Sequence, residues 1–232
     1  MNFYSFYKKF GLYAILVLVF AFFSIFAPHF FSGANFLNIL RQVSIFGTAV
    51  IGATIVMIGG GADMSVGGMV AMGGIIAAMA MTTWGLPIWA AILLTILFCC
   101  LIGFLNGFLT VTLFIPGFIT TLGMMLVLNG MAYVISGGYA IFGLPSEYAF
   151  LGQGYIGFLP VPVIIFVIVC VAGTFLMTKT YYGRSVYALG GNPTAANLAG
   201  INVKKVTIIA YVLCGFVAAL AALMQLSRSN SA

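Results

Sequence analysis

The sequence predicts an all-α, polytopic transmembrane fold of about seven spans. Three observations point to it. Charged residues make up 4% of the 232-residue chain and hydrophobic residues 64%, against about 25% charge in a soluble domain. Mean hydropathy is +1.25. Continuous apolar runs of roughly 18 residues or more recur, each long enough to cross a bilayer core about 30 Å thick. A transmembrane barrel would instead show alternating segments of about ten residues.

Taken in order, Lys8-Lys9 precede an apolar run from Leu12 to Ala27. The run is long for a signal peptide and lacks a small-x-small cleavage site before Pro28, so it is expected to be the first span. Residues 28–42 are expected to form a semi-polar outer connection with an amphipathic turn around Phe36 to Leu40. The region Val43–Met81 is too long for one crossing at about 1.5 Å per residue. It is broken by Gly59-Gly60-Gly61-Ala62-Asp63-Met64-Ser65, which predicts two spans, Val43–Ile58 and Val66–Met81. Trp84, Pro87 and Trp89 mark an outer interface, the depth that aromatic residues favour. Ile88–Val111, Phe118–Ile135, Val161–Met177 and Val206–Leu226 complete the spans, with a short inner turn at 112–117 and a large outer loop from Gly137 to Pro160. Basic residues cluster at Lys8-Lys9 and in the 179–205 stretch. Only with two spans between 43 and 81 do both clusters fall on one side, so the positive-inside rule predicts a cytoplasmic N-terminus in a multi-pass cytoplasmic (inner) membrane protein. The net charge of +6 is thus a topology signal, and no nucleic-acid partner is expected. Residues 1–232 read as one transmembrane domain with a cytoplasmic loop at 179–205.

That loop is the long polar interruption of the chain and holds Lys179, Arg184, Lys204 and Lys205. Gly190-Gly191 are expected to make a turn. Asn192 is a good N-cap, Pro193 suits the first helical position, and Gly200 suits the position after the C-cap. A helix over Thr194 to Ala199 would be too short to stand alone in water, so it needs a surface to lie on. The predicted surface belongs to another protein.

Few residues suit chemistry. There are two acids and one histidine, none at metal or triad spacing, so no catalytic or metal-binding residue is predicted. His29 beside Pro28 reads as an interfacial histidine. Cys99, Cys100, Cys170 and Cys214 sit in apolar runs without framework spacing. The sequence has no GxxxxGK[ST] loop, so ATP is expected to be handled by another protein. Asp63 stands at the break between two spans, where an acid is either a functional group or, with Ser65, a cap of the following helix. Thr120 and Thr121 either bond back to helix carbonyls or line a passage for a hydroxylated substrate. Asn106 and Asn129 are expected to be buried and to hydrogen-bond across helices. The pairs Gly67/Ala71, Gly74/Ala78, Gly103/Gly107 and Gly215/Ala219 have the spacing that lets helices approach closely.

Three segments carry a family resemblance. GGADMSVG (60–67), PGFITTLG (116–123) and GRSVYALGGNPTAANLAGINVKKV (183–206) resemble the GGIDLSVG, PxFIATLG and GRxxYAxGGNxxAAxxxGINVxxxK stretches of the ribose-type (monosaccharide) permeases of ATP-binding-cassette importers. The likeness covers nearly the whole chain in the same order. It implies a coupling helix from Asn192 to Gly200, including Pro193, Ala195 and Ala196, docked on a separate ATPase subunit that holds ATP and Mg. Arg184, Tyr187, Gly190, Gly191 and Ile201 would shape the base of that helix. It implies a second permease copy or paralogue, an extracytoplasmic sugar-binding protein, and a sugar as substrate. Asp63, Ser65, Phe118, Thr120, Thr121 and Asn129 are the expected pathway residues.

Position 62 is Ala and position 64 is Met where the family usually has Ile and Leu, while Asp63, Ser65 and Gly67 match. The family continues beyond the point where this sequence stops, so a C-terminally incomplete chain is expected. Two other readings stand beside the importer permease: an ion-coupled secondary transporter, for which Asp63 is the only support, and an inactive membrane scaffold, which gives no reason for the 192–200 helix.

Overall fold

A computed structural model describes residues 3–232, with side chains from Gly11 onward. Lys8 and Lys9 fall outside the described side chains. The architecture is helical: α1 (Phe3–Phe26), α2 (Gly33–Ile58), α3 (Val66–Thr82), α4 (Ile88–Thr112), α5 (Gly117–Ser136), α6 (Ala149–Gln153), α7 (Val161–Lys179), α8 (Tyr181–Gly191), α9 (Pro193–Leu198) and α10 (Val203–Ser229). A 3-10 turn (Ser146–Tyr148) precedes α6, and a small antiparallel hairpin, β1 (Tyr155–Ile156) with β2 (Leu159–Pro160), follows it.

Among the described residues, five helices are long and apolar enough to cross a membrane: α2, α4, α5, α7 and α10. The other two of the expected seven spans are not confirmed. The helix α3 and the Gly11–Phe26 part of α1 are apolar but shorter. The 17 residues of α3 rise about 26 Å, less than the roughly 30 Å hydrocarbon core.

The chain forms two compact units, Met1–Gln42 and Val43–Ala232. In the first, the expected connection over 28–42 is mostly helix, because α2 starts at Gly33. The Ser32 hydroxyl accepts a hydrogen bond from the Asn35 amide at 3.2 Å, and the Asn35 side chain donates to the Phe30 carbonyl at 2.8 Å. With that start capped, neither proline nor glycine interrupts the sequence before Gly47, and the semi-polar residues continue the helix instead of breaking it.

The second unit is built around α10, which is packed most closely against α4. Gly103 lies against the Tyr211 and Val212 backbone, Gly107 against Ile208, and Gly215 against the Cys99 carbonyl. Small residues admit this approach, the usual device where water does not drive helices together. The other two expected pairs do not work this way, since a Cβ at Gly67 or Gly74 would meet nothing within 4 Å. The 137–160 loop is folded onto α10. Buried Tyr148 donates to the Leu223 carbonyl at 2.8 Å, the Ser227 hydroxyl donates to the Tyr148 carbonyl at 2.6 Å, and the Gly152 amide donates to the Ser227 hydroxyl at 2.7 Å. All four cysteines are free.

Candidate functional site

Two neighbouring features carry most of the expected site residues, the α8–α9 element and the loop 59–65 between α2 and α3, and the rest lie on α5. The first is defined by its caps. Thr180 starts α8 by accepting the Gly183 amide at 3.2 Å. Val186 and Leu189 are buried in the main apolar cluster with Ile55, Val56, Val206 and Ala210. The Tyr182 hydroxyl donates to the Val206 carbonyl at 3.3 Å, tying α8 to α10, and burial pushes that phenol above the usual tyrosine range.

Gly190 and Gly191 are not a turn. Both lie in the last turn of α8, and the reversal falls on Asn192, whose backbone is extended. Gly190 is small because the end of α8 rests on the end of α2. A Cβ there would collide with the Ile58 carbonyl, and the Gly190 Cα is in turn 3.5 Å from the Cβ position of Gly60.

The helix α9 is punctuated as the sequence predicts. Asn192 Oδ1 accepts from the Ala195 amide at 3.0 Å, and Pro193 occupies the first turn. At the other end Gly200 has φ +83°. Its amide donates to Asn197 and the Ile201 amide donates to Ala196, both at 3.0 Å, the paired bonds of a Schellman motif. Asn202 then caps α10 by accepting the Lys205 amide at 3.0 Å, a cap the sequence reading missed although Asn before a long apolar run is a usable signal.

Ala196 is buried at 4% exposure, Ile201 is half-buried, and Leu198 is 84% exposed. Arg184, Tyr187, Gly191, Pro193 and Ala195 are exposed as well. The outward face therefore carries Leu198, which sequence reasoning did not single out, while Ala196 faces the chain itself. A cleft of about 750 Å³ lies beside this helix, lined among others by Thr110, Phe114, Pro193, Asn197 and Lys204. The Lys204 ammonium stands 6.0 Å from the Phe114 ring centre.

The loop 59–65 is held from three helices. Asp63 Oδ1 accepts from both the amide and the hydroxyl of Ser65, at 2.8 and 2.6 Å. Asn106 of α4 donates to the Ser65 hydroxyl at 2.8 Å. The Met64 amide donates to Thr121 Oγ1 of α5 at 3.0 Å, and Thr121 donates back to the Gly117 carbonyl at 2.7 Å. Tyr211 of α10 donates to the Ala62 carbonyl at 3.0 Å.

Asp63 thus shapes its own loop. Ser65 stands at the N-cap of α3 without a side-chain capping bond, so neither residue caps that helix through its side chain. Ser65, Asp63 and Thr121 come together, and Asn106 bonds across helices as expected. Asn129 does not: it is exposed on α5, as is Phe118, while Thr120 is half-buried with no partner for its hydroxyl. Tyr211 was missed because it lies in an apolar run, where a lone tyrosine reads as core. Among the described residues no group of three His, Cys, Asp or Glu could hold a metal ion.

Helices of membrane-crossing length and composition, packed through glycines beside a polar break, define a multi-pass membrane protein. The chain belongs to the family described as the permease component of branched-chain amino acid transport systems, which matches residues 35–232. It is 38% identical over 221 residues to the ribose import permease protein RbsC of Haemophilus influenzae, covering 94% of this chain and 68% of that protein. It is 38% identical over 224 residues to its Bacillus subtilis counterpart, covering 96% and 68%. It is 32% identical over 233 residues to the D-allose transport system permease protein AlsC of Escherichia coli, covering 100% and 71%. The resemblance read from the three motifs is borne out by these matches. No solved structure matches the chain.

Proposed function

We propose that this chain is the membrane-spanning permease component of an ATP-binding-cassette importer that carries a monosaccharide such as ribose. The α8–α9 element lies on the cytoplasmic side together with the N-terminus, and α9 docks on a separate ATPase subunit. ATP and Mg are held by that subunit, and no chemistry is assigned to this chain. A second permease chain completes the pathway, and an extracytoplasmic binding protein supplies the sugar. Loop 59–65 and the first turn of α5, with Asp63, Ser65, Phe118, Thr120, Thr121 and, farther along the helix, Asn129, belong to the sugar's route.

One observation carries the docking role. The six-residue α9 is far below the length at which a helix persists alone, yet both its ends are capped within the chain and Leu198 is left 84% exposed. A helix fixed at both ends with its largest apolar side chain outward suits insertion into a groove on a partner. The ribose and allose permeases among its relatives support the substrate class.

The test is uptake into proteoliposomes containing this chain and its ATPase, with binding protein and labelled ribose outside. Uptake that needs hydrolysable ATP is expected. Uptake driven by a proton or sodium gradient without ATP would contradict the proposal and favour an ion-coupled transporter.

A further inference from the structure

We infer that Tyr211 is a positioning residue for transport, whose hydroxyl ties movement of the α8–α9 element to loop 59–65. This rests on the proposed function, since it requires α9 to be the part that a partner moves.

The α8–α9 element and the start of α10 are joined at several points. Tyr182 bonds to Val206, and Val186 and Leu189 share a cluster with Val206, Ala210 and Tyr211. Tyr211 lies eight positions after Val203, so it sits about 12 Å along α10 from its start. There it is 1% exposed, and its hydroxyl reaches the Ala62 carbonyl at 3.0 Å.

Two glycines make room for that hydroxyl. A Cβ on Gly117 at the start of α5 would collide with it, and one on Gly61 would stand 3.2 Å away. Loop and α5 are therefore both shaped around a single oxygen atom of α10.

The Ala62 carbonyl depends on this bond. Its other side-chain neighbour is Thr121 Oγ1 at 3.3 Å, but a hydroxyl has one proton, and Thr121 has the Gly117 carbonyl at 2.7 Å. Through Thr121 the loop is in turn fixed to α5, and through Ser65 to Asn106 of α4. A displacement of α9 that carries the start of α10 with it thus reaches α5 by way of Ala62.

A purely structural bond predicts only lower stability on its removal, whereas a positioning role predicts that motion and transport separate. The experiment uses the full chain with its ATPase in lipid nanodiscs, followed by hydrogen-exchange mass spectrometry with and without ATP, and parallel proteoliposomes for ribose moved per ATP hydrolysed. In the unmodified protein, peptides covering 192–200 and 59–65 should both change exchange on ATP addition. In Tyr211→Phe, the 192–200 response should persist and the 59–65 response should vanish. Ribose per ATP should fall about fivefold, the factor that corresponds to one buried hydrogen bond of about 1 kcal/mol, while hydrolysis continues. Gly61→Ala, which crowds the hydroxyl at 3.2 Å and the Val56 side chain at 3.0 Å without removing the hydroxyl, should show a smaller loss of the same kind and serves if Tyr211→Phe does not fold.

An unchanged 59–65 response and an unchanged ribose-to-ATP ratio would overturn the assignment. So would loss of hydrolysis, the 192–200 response and transport together in both variants, since that is a structural effect. Silence of the 192–200 peptide in the unmodified complex would overturn this inference and the docking role with it.

Discussion

The contact between α4 and α10 can be tested by comparing two glycines that look alike in sequence. Gly103 and Gly74 each begin a small-x-x-x-small pair, but their surroundings differ. A Cβ at Gly103 would run into the carbonyl of Tyr211 and crowd Val212, whereas one at Gly74 would meet nothing within 4 Å. The obstacle at Gly103 is backbone of a packed helix, so Gly103→Ala must push α10 away from α4. Overpacking of this kind costs about 1–3 kcal/mol. With roughly 2–4 °C of melting temperature per kcal/mol in a chain of this size, the expected fall is about 2–12 °C. Gly74→Ala adds a methyl group to open space and gains up to about 1 kcal/mol of helix propensity, so its melting temperature should be unchanged or up to about 4 °C higher. Thermal unfolding of both variants in one detergent, followed by circular dichroism, reads the difference. Equal melting temperatures, or a lower one for Gly74→Ala, would refute the assignment of Gly103 to the helix contact.

Two further predictions concern the caps and the loop. Asn192→Ala removes the bond to the Ala195 amide, and a lost cap costs about 1 kcal/mol. Exchange at the Ala195 amide should accelerate about fivefold by the same energy relation, and an unchanged rate would show that the cap does not hold α9. Ser65→Ala removes one of the two donors to Asp63, which keeps the Ser65 amide, and strips the acceptor of Asn106, leaving that buried side-chain amide unpaired at about 1–3 kcal/mol. Asn106→Leu removes one cross-helix bond, worth about 0.6 kcal/mol on average within membranes, together with an amide oxygen that has no partner. Ser65→Ala should therefore melt lower than Asn106→Leu, and the reverse order would mean that the Asp63–Ser65–Asn106 chain does not hold the loop.

The features legible in the sequence were those set by local chemistry. Asn192, Pro193 and Gly200 gave α9 and its ends because caps and left-handed turns depend on a few adjacent residues. Hydrophobic run length placed the α4, α5, α7 and α10 spans for the same reason. The misreadings came where tertiary contact decides. Gly190-Gly191 looked like a turn, but glycine there answers to the nearby Ile58 carbonyl. Residues 33–42 looked like a connection because polarity alone does not end a helix once Ser32 and Asn35 have started it. The inward side of α9 was not legible either. Six residues are too few for a periodic pattern to show that Ala196 is covered and Leu198 is not. Tyr211 and Ala62 are 149 positions apart, and no spacing rule links such a pair.

The burial of Ala196 settles which substitution tests docking. A charge at Ala196 would damage α9 itself, whereas Leu198 can be changed without disturbing either cap. The central claim is that α9 is the surface through which an ATPase drives this permease. Its most direct measurement is co-purification of the proposed partner ATPase with the unmodified protein and with Leu198→Asp, both extracted from membranes. Removing an exposed leucine from a buried contact, at roughly 1.5–3 kcal/mol, should lower ATPase retention at least about tenfold while the variant stays in the membrane and keeps its melting temperature. Equal retention by both proteins would contradict the claim.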